Sequence, residues 1–156
     1  MLPALRDTLV HPNDPFQVEL ELDEMWSFVR CKANKLWIWL ALCKATRQVV
    51  ACVIGGRGIA TCKKLWCNVP DAYQQGIVFS DFWEAYQAVI PDEQHAAVGK
   101  ETGLTSHIER FNNTIRQRLA RFVRKTLSFS KCEHMHLICL HAFLVRYNLD
   151  IKASIR

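Results

Sequence analysis

Three acidic side chains sit where separate elements of one domain could bring them together. Asp23 ends the strand-like run Val18-Glu19-Leu20-Glu21-Leu22, and Asp81 ends a second, Ile77-Val78-Phe79-Ser80. Glu109 opens the basic helical stretch His107-Ile108-Glu109-Arg110-Phe111-Asn112-Asn113-Thr114-Ile115-Arg116. Two divalent cations roughly 3.5–4 Å apart can activate an attacking oxygen and stabilise a leaving one on the same phosphate. Mg2+ prefers oxygen ligands and keeps much of its water, so a few Asp and Glu side chains suffice to hold it. Clustered acids repel one another, and a bound cation relieves that repulsion. Singly, each acid has an ordinary structural explanation; Asp81, for example, could cap the helix around Trp83. Together they point to phosphodiester chemistry.

Helix geometry adds a partner. Seven residues span about two turns, so Glu109 and Arg116 share a face, with Asn113 between them. A metal-binding acid followed two turns later by a guanidinium suits a phosphate substrate. Glu24, beside Asp23, would point to the opposite face of a continuing strand and is an alternate or supporting acid. His107, two residues before Glu109, is a candidate accessory group or a helix cap. The surrounding charge agrees. Residues 1–29 hold six acids and one base, whereas residues 107–131 hold seven bases and one acid. Such a segment attracts a phosphate backbone without reading sequence. Arg116, Arg118, Arg121, Arg124 and Lys125 are the DNA-contact candidates.

These residues need a scaffold. Residues 1–15, with Pro3, Pro12 and Pro15, read as an irregular lead-in to a domain over 16–150, with a tail at 151–156. From Phe16 the pattern alternates: Phe16, Val18, Leu20 and Leu22 face one way, Gln17, Glu19, Glu21 and Asp23 the other. Leu36 to Cys43 is nearly all apolar, as for a central strand covered on both faces. Val49 to Ile54 completes an antiparallel meander across a short hairpin. A helix capped by Thr61, a strand over Gly76–Ser80, a helix from Trp83 to Val89 and an edge strand over Ala96–Val98 follow. Gly99 to Ser106 reads as a polar loop. Ile108, Phe111, Ile115, Leu119 and Phe122 then form a helical apolar stripe. A last helix over about 130–147 is expected to bury Leu137, Leu140, Phe143 and Leu144. The order β-β-β-α-β-α-β-α-α predicts an α/β fold with a mixed five-stranded sheet, its first three strands antiparallel, and flanking helices.

Composition narrows the class. The chain has 156 residues, enough for one well-buried core. Its longest apolar run has eight residues, far short of a membrane span, and the N-terminus lacks a secretory layout. A cytoplasmic protein is expected. Seven cysteines cannot all pair, and reduced thiols are the simplest reading. Cys62 and Cys67 lack a second ligand pair for zinc; Cys132, His136 and Cys139 read as filling a helix face in the core. Gly55-Gly56-Arg57-Gly58 reads as a turn.

The segments Glu21-Leu22-Asp23-Glu24-Met25-Trp26 and Ser80-Asp81-Phe82-Trp83-Glu84-Ala85-Tyr86 resemble the insertion sequence 1 family of bacterial transposases. The resemblance is most specific from Ile108-Glu109-Arg110-Phe111-Asn112 through Arg118-Leu119-Ala120-Arg121 to Lys125-Thr126-Leu127-Ser128-Phe129-Ser130-Lys131. It implies a DDE recombinase with a ribonuclease-H-like core, in which Asp23, Asp81 and Glu109 bind metal and Arg116 is the basic residue after the Glu. It further implies Mg2+, with Mn2+ as an alternative ion, nicking at transposon ends, and attack of the freed 3′-hydroxyl on target DNA. By the same resemblance the enzyme is a homo-oligomer on bacterial nucleoid DNA. Its zinc-finger and helix-turn-helix portion would be supplied by fusion with an upstream frame. Two other readings use the same residues: a stand-alone ribonuclease-H-like nuclease or resolvase, and a non-catalytic DNA-binding partner of a longer transposase.

Overall fold

A computed structural model describes residues 1–123, 125 and 127–155. Five strands form one sheet: β1 (Glu19–Phe28), β2 (Lys35–Cys43), β3 (Val49–Gly55), β4 (Ile77–Ser80) and β5 (His95–Ala97). Their order is β3-β2-β1-β4-β5. β1 runs antiparallel to β2, and β2 to β3, while β4 lies parallel to both β1 and β5. The helices are α1 (Ile59–Asn68), α2 (Glu84–Val89), α3 (Ser106–Arg118) and α4 (Glu133–Ser154). This mixed sheet with flanking helices agrees with the ribonuclease-H-like expectation.

The pleat of β1 divides the core. Leu20 and Leu22 project to the side covered by α1 and α2, where they pack with Trp39, Ala41, Cys62, Leu65 and Tyr86. Met25, on the other side, packs with Ile38, Leu40, Leu42, Ile108, Phe111, Ile115, Leu140 and Leu144 of the sheet, α3 and α4. Both faces are therefore covered, which is why β2 reads as a continuous apolar run. Just before β4 begins, the chain passes so close to β1 that a Cβ on Gly76 would lie 1.7 Å from the Val18 carbonyl oxygen.

Several expectations need correction. β1 does not end at Asp23 but runs on to Phe28, so Asp23 is a mid-strand residue and Glu24 does face the other way. Phe16 is outside the strand, in a 3-10 turn over Pro15–Gln17, and is largely exposed, because Pro15 fixes a turn there. Thr61 is inside α1, whose N-cap is Gly58. The stripe ending in Leu119 and Phe122 outlasts its helix: α3 stops at Arg118, Leu119 turns extended, and buried Phe122 belongs to a 3-10 turn over Ala120–Phe122. Leu137 is exposed rather than buried, since α4 seats His136, Leu140 and Leu144 against the sheet instead.

The lead-in is stitched to the sheet by polar groups. Gln48 receives the Val10 N–H on Oε1 and donates from Nε2 to the Thr8 and Asn148 carbonyls. Asn148 in turn accepts from Val49 N–H and donates to Thr8 Oγ1 and the Val49 carbonyl. These side chains are fully buried, and each amide has its partners, as burial requires. Among the described residues no helix is long and apolar enough to cross a membrane, and all seven cysteines are unpaired.

Candidate active site

β1 supplies acids to both faces of the sheet in turn. Asp23 projects toward α3, where Asn112 Nδ2 donates to its Oδ2 at 2.8 Å, and its Oδ1 accepts the Glu24 N–H at 2.9 Å. Burial pushes the Asp23 carboxyl up to about 7, helped by the negative charges of Glu24, Asp81 and Glu109. Asp81 leaves the end of β4, the strand parallel to β1, and its Oδ1 accepts the Trp83 N–H at 2.9 Å ahead of α2. Asp81 does not cap α2, whose N-cap is Trp83 with no side-chain cap bond; its carboxylate closes a turn on the Trp83 N–H just before the helix. Glu109, in the first turn of α3, accepts from Thr105 Oγ1 at 3.0 Å. The structure therefore brings the three sequence-predicted acids into one electrostatic neighbourhood.

Glu24 serves the other face. Its side chain is 2% exposed; Tyr86 donates its hydroxyl to Oε2 at 2.5 Å, and Arg57 donates to Oε1 from Nε at 3.2 Å and from Nη2 at 3.1 Å. Burial raises its carboxyl, and the charge of Asp81 adds to this, against the lowering by Tyr86 and Arg57. Asp81, just beyond the end of β4, acts by its charge on both Asp23 and Glu24.

Two residues that sequence reasoning missed hold this geometry. Glu21, with no exposed surface, projects toward α3 like Asp23. Its Oε1 accepts the main-chain N–H of His107 at 3.1 Å, and its Oε2 lies 2.9 Å from His107 Nδ1. A carboxylate from the sheet thus satisfies an open N–H of the first turn of α3, the task usually left to an N-cap side chain. Thr105, at the cap position, instead spends its hydroxyl on Glu109. Burial lifts the Glu21 carboxyl to about 7, although the helix N–H, Lys44 and Arg47 act in the opposite sense. The second missed residue is Asn112. Asn113, expected between Glu109 and Arg116, is exposed, whereas Asn112 is buried against Asp23.

The basic candidates lie on and after α3. Arg116 is half-buried, Arg118 and Lys125 are exposed, and Arg121 is half-buried in the turn beyond the helix. Arg124 lies outside the described residues. His136 stands between Ser27 Oγ, 2.7 Å from Nε2, and Ser130 Oγ, 2.6 Å from Nδ1, with its ring stacked 4.1 Å from that of Phe122. It is a buried brace rather than a ligand, and Cys132 beside it is exposed.

Oxygen-only donors fit a hard divalent cation in kind. The Asp23 carboxyl is raised chiefly by burial and further by neighbouring negative charge, and a cation beside it would favour its ionised form. As they stand, no three His, Cys, Asp or Glu groups among the described residues are drawn tightly enough together to chelate an ion.

Comparison with known proteins identifies the lineage. Residues 17–149 match the family described as IS1 transposase. The chain belongs to the IS1 transposase family. The match takes in all five strands and the three acids. Among relatives, the insertion element iso-IS1n protein InsB of Shigella dysenteriae is 36% identical over 127 residues, covering 81% of this chain and 94% of that protein. The IS1 protein InsB of Shigella flexneri is 36% identical over 116 residues, covering 74% and 86%. The IS1 4 protein InsB of Escherichia coli is 34% identical over 127 residues, covering 81% and 74%. Membership of this transposase family implies an enzyme that cleaves and transfers DNA strands.

Proposed function

We propose that this chain is the catalytic portion of a DDE-type transposase in which Asp23, Asp81 and Glu109 carry metal-dependent DNA cleavage and strand transfer. The observation that carries the reading is the family match over residues 17–149 together with the placement of the acids: Asp23 within β1 facing α3, Asp81 just beyond the parallel strand β4, and Glu109 in the first turn of α3. Mg2+, or Mn2+ in its place, would supply the positive charge that activates the attacking oxygen and stabilises the leaving one.

The chain's own groups divide the remaining work. Asn112 fixes the orientation of Asp23 through Oδ2, leaving its rotamer little freedom. Thr105 donates its hydroxyl to Glu109 and so orients that carboxylate in the first turn of α3. Arg116, on the Glu109 face of α3, holds a backbone phosphate. Arg118, Arg121, Arg124 and Lys125 extend the attraction along the DNA without reading its bases. Glu24 and His107, each held by a buried partner, support the reacting groups from behind. Transposon ends and target DNA are the proposed substrates, with a homo-oligomer pairing two ends and a separate zinc-finger and helix-turn-helix portion recognising them.

The test is incubation of the purified protein with labelled DNA carrying transposon ends, with and without Mg2+, alongside Asp81→Asn and Glu109→Gln. Metal-dependent nicking that both substitutions abolish is expected. Normal cleavage by Glu109→Gln would sink the site assignment.

A further inference from the structure

We propose that Arg57 is a second phosphate grip, holding the DNA backbone from the side of the sheet opposite α3. The inference rests on the DNA-strand-cleaving reading above and adds a residue to it. The Gly55-Gly56-Arg57-Gly58 loop joins β3 to α1, and Trp39 Nε1 pins it by donating to the Gly56 carbonyl at 2.9 Å. Arg57 projects from this loop between two indoles, its Cζ 4.4 Å from the Trp37 ring centre and 4.6 Å from that of Trp83. Trp83 is also the residue whose main-chain N–H binds Asp81. A single side chain therefore separates this guanidinium from one of the three site acids.

The simpler account makes Arg57 only a counter-charge for buried Glu24. Three observations go beyond it. Arg57 directs both Nε and Nη2 at the same carboxylate oxygen, Oε1, while Tyr86 takes Oε2, so the pairing is not the two-oxygen fork of a dedicated Arg–carboxylate bridge. Nη1 meets no acceptor among the described residues, and 43% of the side chain is exposed against 2% for Glu24. The flanking loop is open: a Cβ on Gly56 or Gly58 would meet nothing within 4 Å.

On this side of the sheet Glu24 is covered by Arg57 and Tyr86, and the bases of α3 lie across the sheet. Arg57 and the exposed Lys63 and Lys64 of α1 carry positive charge here, and of these Arg57 is the one whose neighbour Trp83 binds Asp81. Its guanidinium is already held between two rings, so little conformational freedom is lost when a phosphate oxygen arrives. Lysine would lack both the stack and the fork.

Fluorescence anisotropy of the full chain with a labelled DNA duplex, in metal-free buffer from about 50 to 200 mM salt, tests this. Arg57→Gln is expected to weaken binding about ten-fold at low salt and reduce the slope of log K against log salt by about one. Arg57→Lys is expected to keep the slope and lose part of the affinity. The pair Glu24→Gln with Arg57→Gln, which leaves no buried charge unmatched, is expected to bind as weakly as Arg57→Gln and to melt near the parent. Should that pair unfold, Trp37→Leu decides: it keeps both charges but frees the guanidinium, and weaker binding at an unchanged slope is expected. Binding by Arg57→Gln, or in the last case by Trp37→Leu, equal to that of a binding-competent parent overturns this inference alone. A parent that does not bind DNA overturns it together with the reading it rests on.

Discussion

Glu21 and His107 meet where β1 passes under the first turn of α3, one carboxylate oxygen 3.1 Å from the His107 main-chain nitrogen and the other 2.9 Å from its ring Nδ1. A helix that carries a site acid in its first turn is thereby tied to the strand that carries another. Removing the carboxylate leaves a helix N–H without its acceptor in a buried place, a loss of about 1–3 kcal/mol. Glu21→Leu should lower stability by that amount in urea unfolding, while Glu21→Gln, which keeps an acceptor for the N–H, should lose less. Equal losses would show that the contact does not anchor the helix.

Asn112 offers Asp23 a neutral donor in a place already crowded with acids. Asn112→Asp replaces that donor with another negative charge. In metal-free buffer it should lower the melting temperature, by an amount equivalent to about 1–3 kcal/mol. Added Mg2+ should restore part of the loss, because an ion that binds only the folded chain stabilises it. A melting temperature unmoved by Mg2+ would count against a cation at these acids.

His136 makes stability fall in acid. Burial lowers its pKa from the usual 6.5 to about 4, aided by the charge of Arg121. The unfolded chain takes up the proton below pH 6.5 and the folded chain only near 4, so this contribution is complete above 6.5 and is lost as pH falls between the two values. The slope from this one group approaches about 1.4 kcal/mol per pH unit within that window. The raised carboxyls of Glu21 and Asp23 act in the opposite sense over this range, so the comparison is with His136→Leu: from pH 7 to pH 5 the parent's urea midpoint should fall relative to that of the variant.

Gly76 leaves no space for a side chain. An alanine Cβ there would sit 1.7 Å from the Val18 carbonyl oxygen and 2.6 Å from its carbon, both backbone atoms that cannot step aside. The start of the β1–β4 pairing would have to separate. Gly76→Ala should cost about 3 kcal/mol or more, a large effect for a single methyl, and expression as soluble, fully cooperative protein would contradict it.

The strands were legible because burial writes itself into composition: Leu36 to Cys43 is apolar on both faces because helices cover both. The same fact misled the reading of β1. Alternation put Glu21 and Asp23 on one face of β1 but could not show that α3 and α4 cover that face, and nothing local distinguishes a solvated acid from one held by a helix N-terminus. The strand's continuation through Met25, Trp26 and Ser27 was hidden because apolar and polar residues there share both faces. Asn112 could have been found. It lies four residues after Ile108 and one after Phe111, so it belongs to the inward arc of α3, whereas Asn113 falls outside it. Arg57 carried no such sign, since its partners Trp37, Trp83 and Glu24 come together only in the folded chain.

The alternation of acids along β1 makes the site sensitive to strand registry. Asp23 and Glu24 are neighbours, and a slip of one residue turns each to the other's face: in one direction Asp23 meets Arg57 and Leu22 meets Asn112, in the other Glu24 meets Asn112 and Met25 meets Arg57. Charge alone opposes that error only in part, because one of the two partners would still meet an acid. Glu21 opposes it. In the slipped strand it would enter the apolar layer beside Trp39 and Leu65, and the first turn of α3 would face a leucine instead of its acceptor. The buried glutamate is thus a proofreading device for the alignment of β1, deciding which of two adjacent carboxylates is delivered to the helix that bears Glu109.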